Sequence, residues 1–214
     1  GDPSLACPGA RGLGRARRAK GLGETAVRTY GRIDCALNNA GSIPDSFART
    51  ADYDEDEFDR TIAVNLKGIW LCMKHETLKM LEQDPPGGSI VNTSSLNALG
   101  GVPQGSLYST AKAGGLGLTK SAALEYGRLG IRVNALVPGA FDTPMQDDSL
   151  RRVSGGDPQA RTQIEEHYKQ FIALGRIGRP EEAAEAAVRL CSGAASYATG
   201  HSMIVDGGAS ASMR

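Results

Sequence analysis

The sequence has few aromatics: Phe, Trp and Tyr make up 5% of its 214 residues, and Trp70 is its one tryptophan. A core here must be built from Ala, Leu, Val, Ile and Gly, as in closely packed layers of helix on sheet. Net charge is absent as well, with 24 Lys+Arg against 24 Asp+Glu. That excludes a nucleic-acid binder working by bulk positive charge. No apolar run approaches the ~18 residues of a membrane span, and the N-terminus has no apolar secretory stretch, so a cytoplasmic location is expected. The cysteines, Cys7, Cys35, Cys72 and Cys191, form no CxxC or Cys/His cluster. Neither a zinc site nor a disulfide framework is indicated, and reduced thiols are expected. His75, His167 and His201 lack metal-ligand spacing and read as structural or solvated residues.

Glycine is what the chain has in surplus, 28 residues, with 40% hydrophobic and 22% charged content that places it among globular proteins. Regular texture begins at Glu24. Glu24–Tyr30 reads as the last turns of a helix ended by Gly31. Apolar runs at 33–37, 89–93, 131–137 and 202–205 read as strands, each closed by a turn signal. Residues 54–83 read as helix, with Phe58, Ile62, Asn65, Leu66, Ile69 and Met73 at spacings of three and four. The acidic run Asp52–Asp59 suits that helix's N-terminus. Leu107–Leu129 reads as a long helix, and 180–192 as another with Pro180 in its first turn. Between them lies a polar excursion, 141–178, with one amphipathic helix at about Pro158–Leu174. Strands alternating with helices predict a parallel sheet covered on both faces, an α/β fold. Ligands of such sheets bind beyond the carboxyl ends of the strands. The chemistry is therefore sought at 38–41, 94–95 and 138–143.

Tyr108 and Lys112 stand four apart on one helix and share a face. Ser95 lies just beyond a strand's carboxyl end, and Asn65 interrupts an apolar stripe, where it must be hydrogen-bonded. A phenol is a poor base at neutral pH, and a neighbouring ammonium lowers its pKa. A serine hydroxyl beside it would hold a substrate oxygen while the proton moves. The set reads as a general acid–base site with an electrostatic activator.

With these residues in place, the sequence resembles the classical short-chain dehydrogenase/reductase family. The matching strings are NNAG at 38–41, VNLKG at 64–68, the Ser95 of NTSS, YSTAK at 108–112, PGAFDTPM at 138–145 and VDGG at 205–208. The resemblance implies a Rossmann-like, doubly wound parallel sheet in three α/β/α layers. It also implies an NAD(P)-dependent oxidoreductase that interconverts a secondary alcohol and a ketone, with NAD or NADP as cofactor. Tyr108 would be the acid/base, Lys112 its activator and a ligand of the nicotinamide ribose, Ser95 the positioning hydroxyl, and Asn65 the holder of a water. Asn38, Ala40 and Gly41 would line the cofactor, and Pro138, Gly139 and Thr143 would cradle its nicotinamide end. A homo-oligomer, dimer or tetramer, is expected, and the small-residue face of the long helix (Ala111, Gly115, Ala122, Ala123) is compatible with such packing. Sugars, cyclic alcohols or diols and 3-oxoacyl thioesters are the substrate classes the resemblance leaves open.

The family's first βαβαβ half binds the adenine end of the dinucleotide and needs on the order of 60 residues. Only 37 residues precede NNAG, and 16 of the first 23 are Gly, Ala, Arg or Pro. The sheet is therefore expected to lack the first strands. Residues 1–23 are expected to be an atypical, disordered Gly/Arg/Ala-rich segment, ahead of an incomplete Rossmann domain over 24–214. Gly9–Ala16 resembles the family's phosphate loop with one residue deleted. The alternative function is a catalytically silent fragment or pseudoenzyme that binds dinucleotide weakly or not at all.

Overall fold

A computed structural model describes residues 16–212. Its four strands are β1 (Cys35–Asn38), β2 (Gly88–Thr93), β3 (Ile131–Pro138) and β4 (Ser202–Val205). They form one all-parallel sheet in the order β1-β2-β3-β4, so each neighbour in sequence is a neighbour in space. Register aligns Asn38 with Asn92, Thr93 with Leu136, and Pro138 with Val205. The carboxyl ends of all four strands thus lie along one edge, where the sequence places its conspicuous polar residues.

Alternation along the strands separates two cores. Ile90, Ile131 and Val133 pack with Ile69 and Met73 of α3 (Gly68–Glu82) and with Ala122 and Ala123 of α4 (Ser106–Tyr126). Val91 and Leu136 point the other way, onto Ala187 and Leu190 of α7 (Pro180–Cys191). The result is a three-layer α/β/α, Rossmann-like arrangement. α1 (Ala16–Tyr30) packs on α3 rather than on the sheet directly. Among the described residues no helix is long and apolar enough to cross a membrane.

Several expectations need correction. α1 begins at Ala16, so regular structure starts before Glu24; the helix is strongly amphipathic, but its Arg and Gly content hides the period. The expected disorder and the Gly9–Ala16 likeness fall chiefly on residues outside the described ones. The helix over 54–83 is two helices, α2 (Glu55–Ile62) and α3, joined by a π turn at Ala63–Lys67 in which the Gly68 N–H reaches back to the Ala63 carbonyl. Phe58, assigned to the apolar stripe, is exposed, because the π turn shifts α2 out of register with α3. The polar excursion holds two helices, not one: α5 (Pro144–Val153) and α6 (Pro158–Phe171). α5 escapes the apolar pattern because Leu150 is its one buried side chain. It starts where Thr143 accepts from the Gln146 N–H (3.3 Å) with Pro144 in the first turn.

One further correction concerns the cysteines. Cys35 and Cys191 are not free thiols: they form a disulfide between β1 and the end of α7. Their separation of 156 residues left no spacing signal to read. On α4, Ala111, Gly115, Ala122 and Ala123 are all buried, and Ala122 and Ala123 share a core cluster with Ile69 and Met73.

Candidate active site

Each element contributes its site residue at the carboxyl edge of the sheet. Beyond β2, Ser95 caps a short turn by accepting from the Asn97 N–H (3.3 Å). Its hydroxyl acts on the Tyr108 phenol, drawing the phenol's pKa down. Tyr108 and Lys112 occupy successive turns of α4, and the Lys112 Nζ lies 5.6 Å from the Tyr108 ring centroid. Lys112 is buried and donates to the Thr93 carbonyl (3.0 Å), while the Ser94 hydroxyl donates to the Lys112 carbonyl (3.0 Å). The strand end and the helix are thereby tied together on both sides of Ser95.

The electrostatics run against the simplest expectation. Burial pushes the Tyr108 phenol up to about 12, and the Ser95 hydroxyl offsets this only in part. Burial also draws the Lys112 ammonium down to about 8. Desolvation dominates both shifts, because a phenolate and an ammonium are each costly in the same dry surroundings. At neutral pH the site holds a protonated phenol beside an ammonium. It is poised to give a proton rather than to take one.

Asn65 is fully buried within the π turn. Its amide donates to the carbonyls of Ser42 (3.0 Å) and Thr61 (3.1 Å) and accepts from the Ser42 N–H (3.1 Å). The turn after β1 is thus clamped to α2–α3. Gly41 sits in a tight place: a Cβ there would lie 3.0 Å from Asn65 Oδ1 and 3.3 Å from Lys112 Nζ, so those side chains would have to give by a few tenths of an ångström. Gly41 therefore lies beside Lys112, in the turn that begins at Asn38 at the end of β1.

Pro138 ends β3, and Gly139 follows with its N–H donated to the Val205 carbonyl (2.9 Å). The glycine is demanded by Asp206, whose Cα would stand 2.9 Å from an added Cβ. Thr143 is committed to capping α5, with its hydroxyl also directed to the Phe141 carbonyl (3.4 Å). The structure brings Ser95, Tyr108, Lys112 and Asn65 with Gly41 into one cluster. It places Pro138, Gly139 and Thr143 along the same edge but in contact with β4 and α5.

Sequence reasoning missed the rim and a buried polar chain. Arg152 of α5 donates to the Pro44 carbonyl (2.7 Å) and pairs with Asp148 (2.7 Å), fastening α5 to the segment after Gly41. Glu57, buried in α2, accepts from the Asp45 N–H (3.0 Å) and pairs with Arg60 (2.8 Å). Behind the turn, Asn38 donates to Glu76 Oε2 and Asn92 Oδ1, both at 3.0 Å, and Asn92 donates to Thr119 Oγ1 (3.0 Å). The available signal was Asn92 itself, a polar residue inside an apolar strand. A cavity of about 490 Å³ opens beside this chain between α1, β1 and α3, and Leu37, Asn38, Ala40 and Glu76 help line it.

The residues present fit the nicotinamide half of a dinucleotide. Lys112 and Tyr108 offer donors at the turn where Gly41 lets backbone approach, and the buried Thr93 hydroxyl beside them has no hydrogen-bond partner.

Residues 14–210 match the family model described as enoyl-(acyl carrier protein) reductase. The chain is 40% identical over 189 residues to a 2,5-dichloro-2,5-cyclohexadiene-1,4-diol dehydrogenase of Sphingobium indicum, covering 88% of this chain and 72% of that protein. It superimposes on the crystal structure of levodione reductase with a TM-score of 0.88 at 33% identity, over 94% of this chain and 76% of that one. A gluconate 5-dehydrogenase from Burkholderia cenocepacia J2315, solved in complex with NADP and tartrate, matches with a TM-score of 0.81 at 25% identity, over 94% and 74%.

Proposed function

The chain belongs to the short-chain dehydrogenase/reductase family of oxidoreductases, and on that premise we propose that it interconverts a secondary alcohol and a ketone using NAD or NADP. The observation that carries this is the buried Lys112, its Nζ 5.6 Å from the Tyr108 ring centroid one turn along α4 and bonded to the Thr93 carbonyl two residues before Ser95. When bound, the dinucleotide supplies or accepts the hydride. The chain's residues handle the proton and the geometry. Ser95 holds the substrate oxygen within reach of Tyr108. In reduction, Tyr108 gives its phenolic proton to that oxygen, which its raised pKa allows it to retain until then. Lys112 stabilises the phenolate left behind and offers its ammonium to the ribose hydroxyls. Asn65 keeps the Gly41–Ser42 backbone in place; holding a water, as the family resemblance implies, would use the remaining lone pair of its Oδ1.

A ring-bearing alcohol or diol is the favoured substrate class, supported by the relative named for a cyclohexadiene diol. The test is hydride transfer to or from NAD(H) and NADP(H) with a panel of cyclic diols and ketones. We expect Tyr108→Phe to lower turnover by about 10²–10⁴-fold. Activity that survives the substitution would refute the role given to Tyr108.

A second reading, a silent site, is favoured by one observation. Among the described residues nothing pairs with the far side of β1, and Leu37 there is 49% exposed. Its signature would be a folded protein that neither binds dinucleotide nor transfers hydride.

A further inference from the structure

We propose that Glu76 is a positioning residue: through Asn38 it fixes the Asn39–Ser42 turn against Asn65 and Lys112, and so sets the geometry of the cofactor-facing wall. The proposal rests on the oxidoreductase reading above for its functional consequence, but not for its structural one.

The argument begins with hydrogen-bond capacity. The Asn38 amide nitrogen has two protons, and both are used, one on Glu76 Oε2 and one on Asn92 Oδ1. Asn92 passes its own amide protons to Thr119 Oγ1 (3.0 Å) and Met73 Sδ (3.1 Å), and Thr119 donates to the Gly115 carbonyl (2.9 Å). A polar chain therefore crosses from α3 through β1 and β2 to α4, inside an otherwise apolar layer. Such a chain specifies one arrangement only when every member is satisfied. Glu76 is its terminal acceptor. The turn after β1 is held at its far end by the Asn65 clamp on Ser42, and at its near end by Asn38. Between these two anchors the backbone passes close to Lys112, with 3.3 Å between its Nζ and a Cβ placed at position 41.

Among the described residues no cation answers Glu76. From α1, Lys20 pairs with Glu24 (3.5 Å). From the approach to β1, Arg32 pairs with Asp34 (2.7 Å), and Cys35 is bridged. β2 offers Asn92 but no ionisable group. On α4, Lys112 is bound to the Thr93 carbonyl and Lys120 is exposed. On α3 itself, Lys79 pairs with Glu82 (2.7 Å), Lys74 lies over the Trp70 ring, and His75 is half-buried. Burial consequently pushes the Glu76 carboxyl up to about 7, with the Asn38 hydrogen bond opposing. As pH falls through that range the acceptor changes from a carboxylate to a neutral carboxyl group. The bond to Asn38 then loses its charge-assisted share, and the turn loosens.

The test compares wild type, Glu76→Gln and Glu76→Ala between pH 5.5 and 8.5. Affinity for NADH and NADPH is measured by titration, and amide hydrogen exchange of Asn39–Ser42 is followed in the ligand-free protein. The wild type should bind about fivefold more tightly above pH 7 than below pH 6, with slower exchange at the turn once intrinsic rates are removed. Glu76→Gln keeps a neutral acceptor, so its profile should be flat and close to the low-pH wild type. Glu76→Ala should exchange at least tenfold faster at the turn at every pH. If Glu76→Ala does not fold, the comparison of wild type with Glu76→Gln decides by itself. Identical pH profiles for those two would overturn the proposal, as would unaltered exchange in Glu76→Ala. Should the wild type bind no dinucleotide while the exchange pattern follows Glu76, the oxidoreductase reading fails and the positioning role stands.

Discussion

Replacing Lys112 by Met should change how stability depends on pH, and the sign is fixed by the structure. Burial lowers the Lys112 pKa from 10.5 to about 8 in the folded chain. Below pH 8 both folded and unfolded chains carry the proton, and pH has no effect through this group. Above pH 8 the folded chain releases the proton while the unfolded chain still holds it. Stability therefore rises with pH, at about 1.4 kcal/mol per unit. From pH 10 upward Tyr108 acts in the opposite direction. Its folded pKa is raised from 10.0 to about 12, so the unfolded chain loses that proton first and stability falls. The clean window is thus pH 8 to 10, where the wild type should gain about 2–3 kcal/mol relative to Lys112→Met. Urea unfolding of both proteins at half-unit pH intervals measures this, read as the difference in extrapolated stability so that other titrating groups cancel. A difference that stays flat within about 0.5 kcal/mol, or that falls, would refute the claim that Lys112 is dry in the folded chain.

Asn65→Ala should cost about 2–4 kcal/mol, because the Ser42 N–H and carbonyl both lose their buried partner; equilibrium unfolding checks it, and a loss below about 1 kcal/mol would mean that water replaces the amide. Gly139→Ala should destabilise by about 1–3 kcal/mol, since the new methyl meets the Asp206 backbone, which cannot swing aside. Gly117→Ala, in the middle of α4 with nothing within 4 Å, should instead stabilise by up to about 1 kcal/mol. Thermal melts of the two glycine variants should therefore move in opposite directions.

The strands were legible to within two residues because each is a short, largely apolar run closed by turn-forming or small polar residues: Asn39, Ser94-Ser95, Gly139 and Asp206-Gly207. Tyr108 and Lys112 were legible as a pair because helical spacing alone puts them on one face. What could not be read is whatever depends on separate elements meeting. Cys35 and Cys191 are brought together only once β1 and α7 lie on the same side of the sheet. Glu76, Asn38, Asn92 and Thr119 come from four elements, and no two of them share a motif. The upward shift of the Tyr108 phenol lies beyond the sequence for the same reason. Proximity to a lysine is visible in the sequence, but the depth at which both groups are buried is a property of the packed layers. Ala122 and Ala123 of α4 meet Ile69 and Met73 of α3 within the chain, a contact that neither segment shows by itself.

The π turn at Ala63–Lys67 makes the chain's length at this point a quantity under constraint. Removing one residue from these five would let the segment rewind as ordinary helix with all its backbone bonds intact, so local structure would not report the loss. A π turn takes up one residue more than an ordinary helical turn, so α3 would keep its rotation relative to α2. Ile69, Met73 and Met80 would stay on the sheet, while Asn65, whose place depends on the wider turn, would leave Ser42. Single-residue deletions are commonly absorbed in loops, such as the Ser154–Asp157 connection between α5 and α6. Here the same deletion, in the middle of an unbroken helical rod, would spare the core and cost the clamp on the turn after β1.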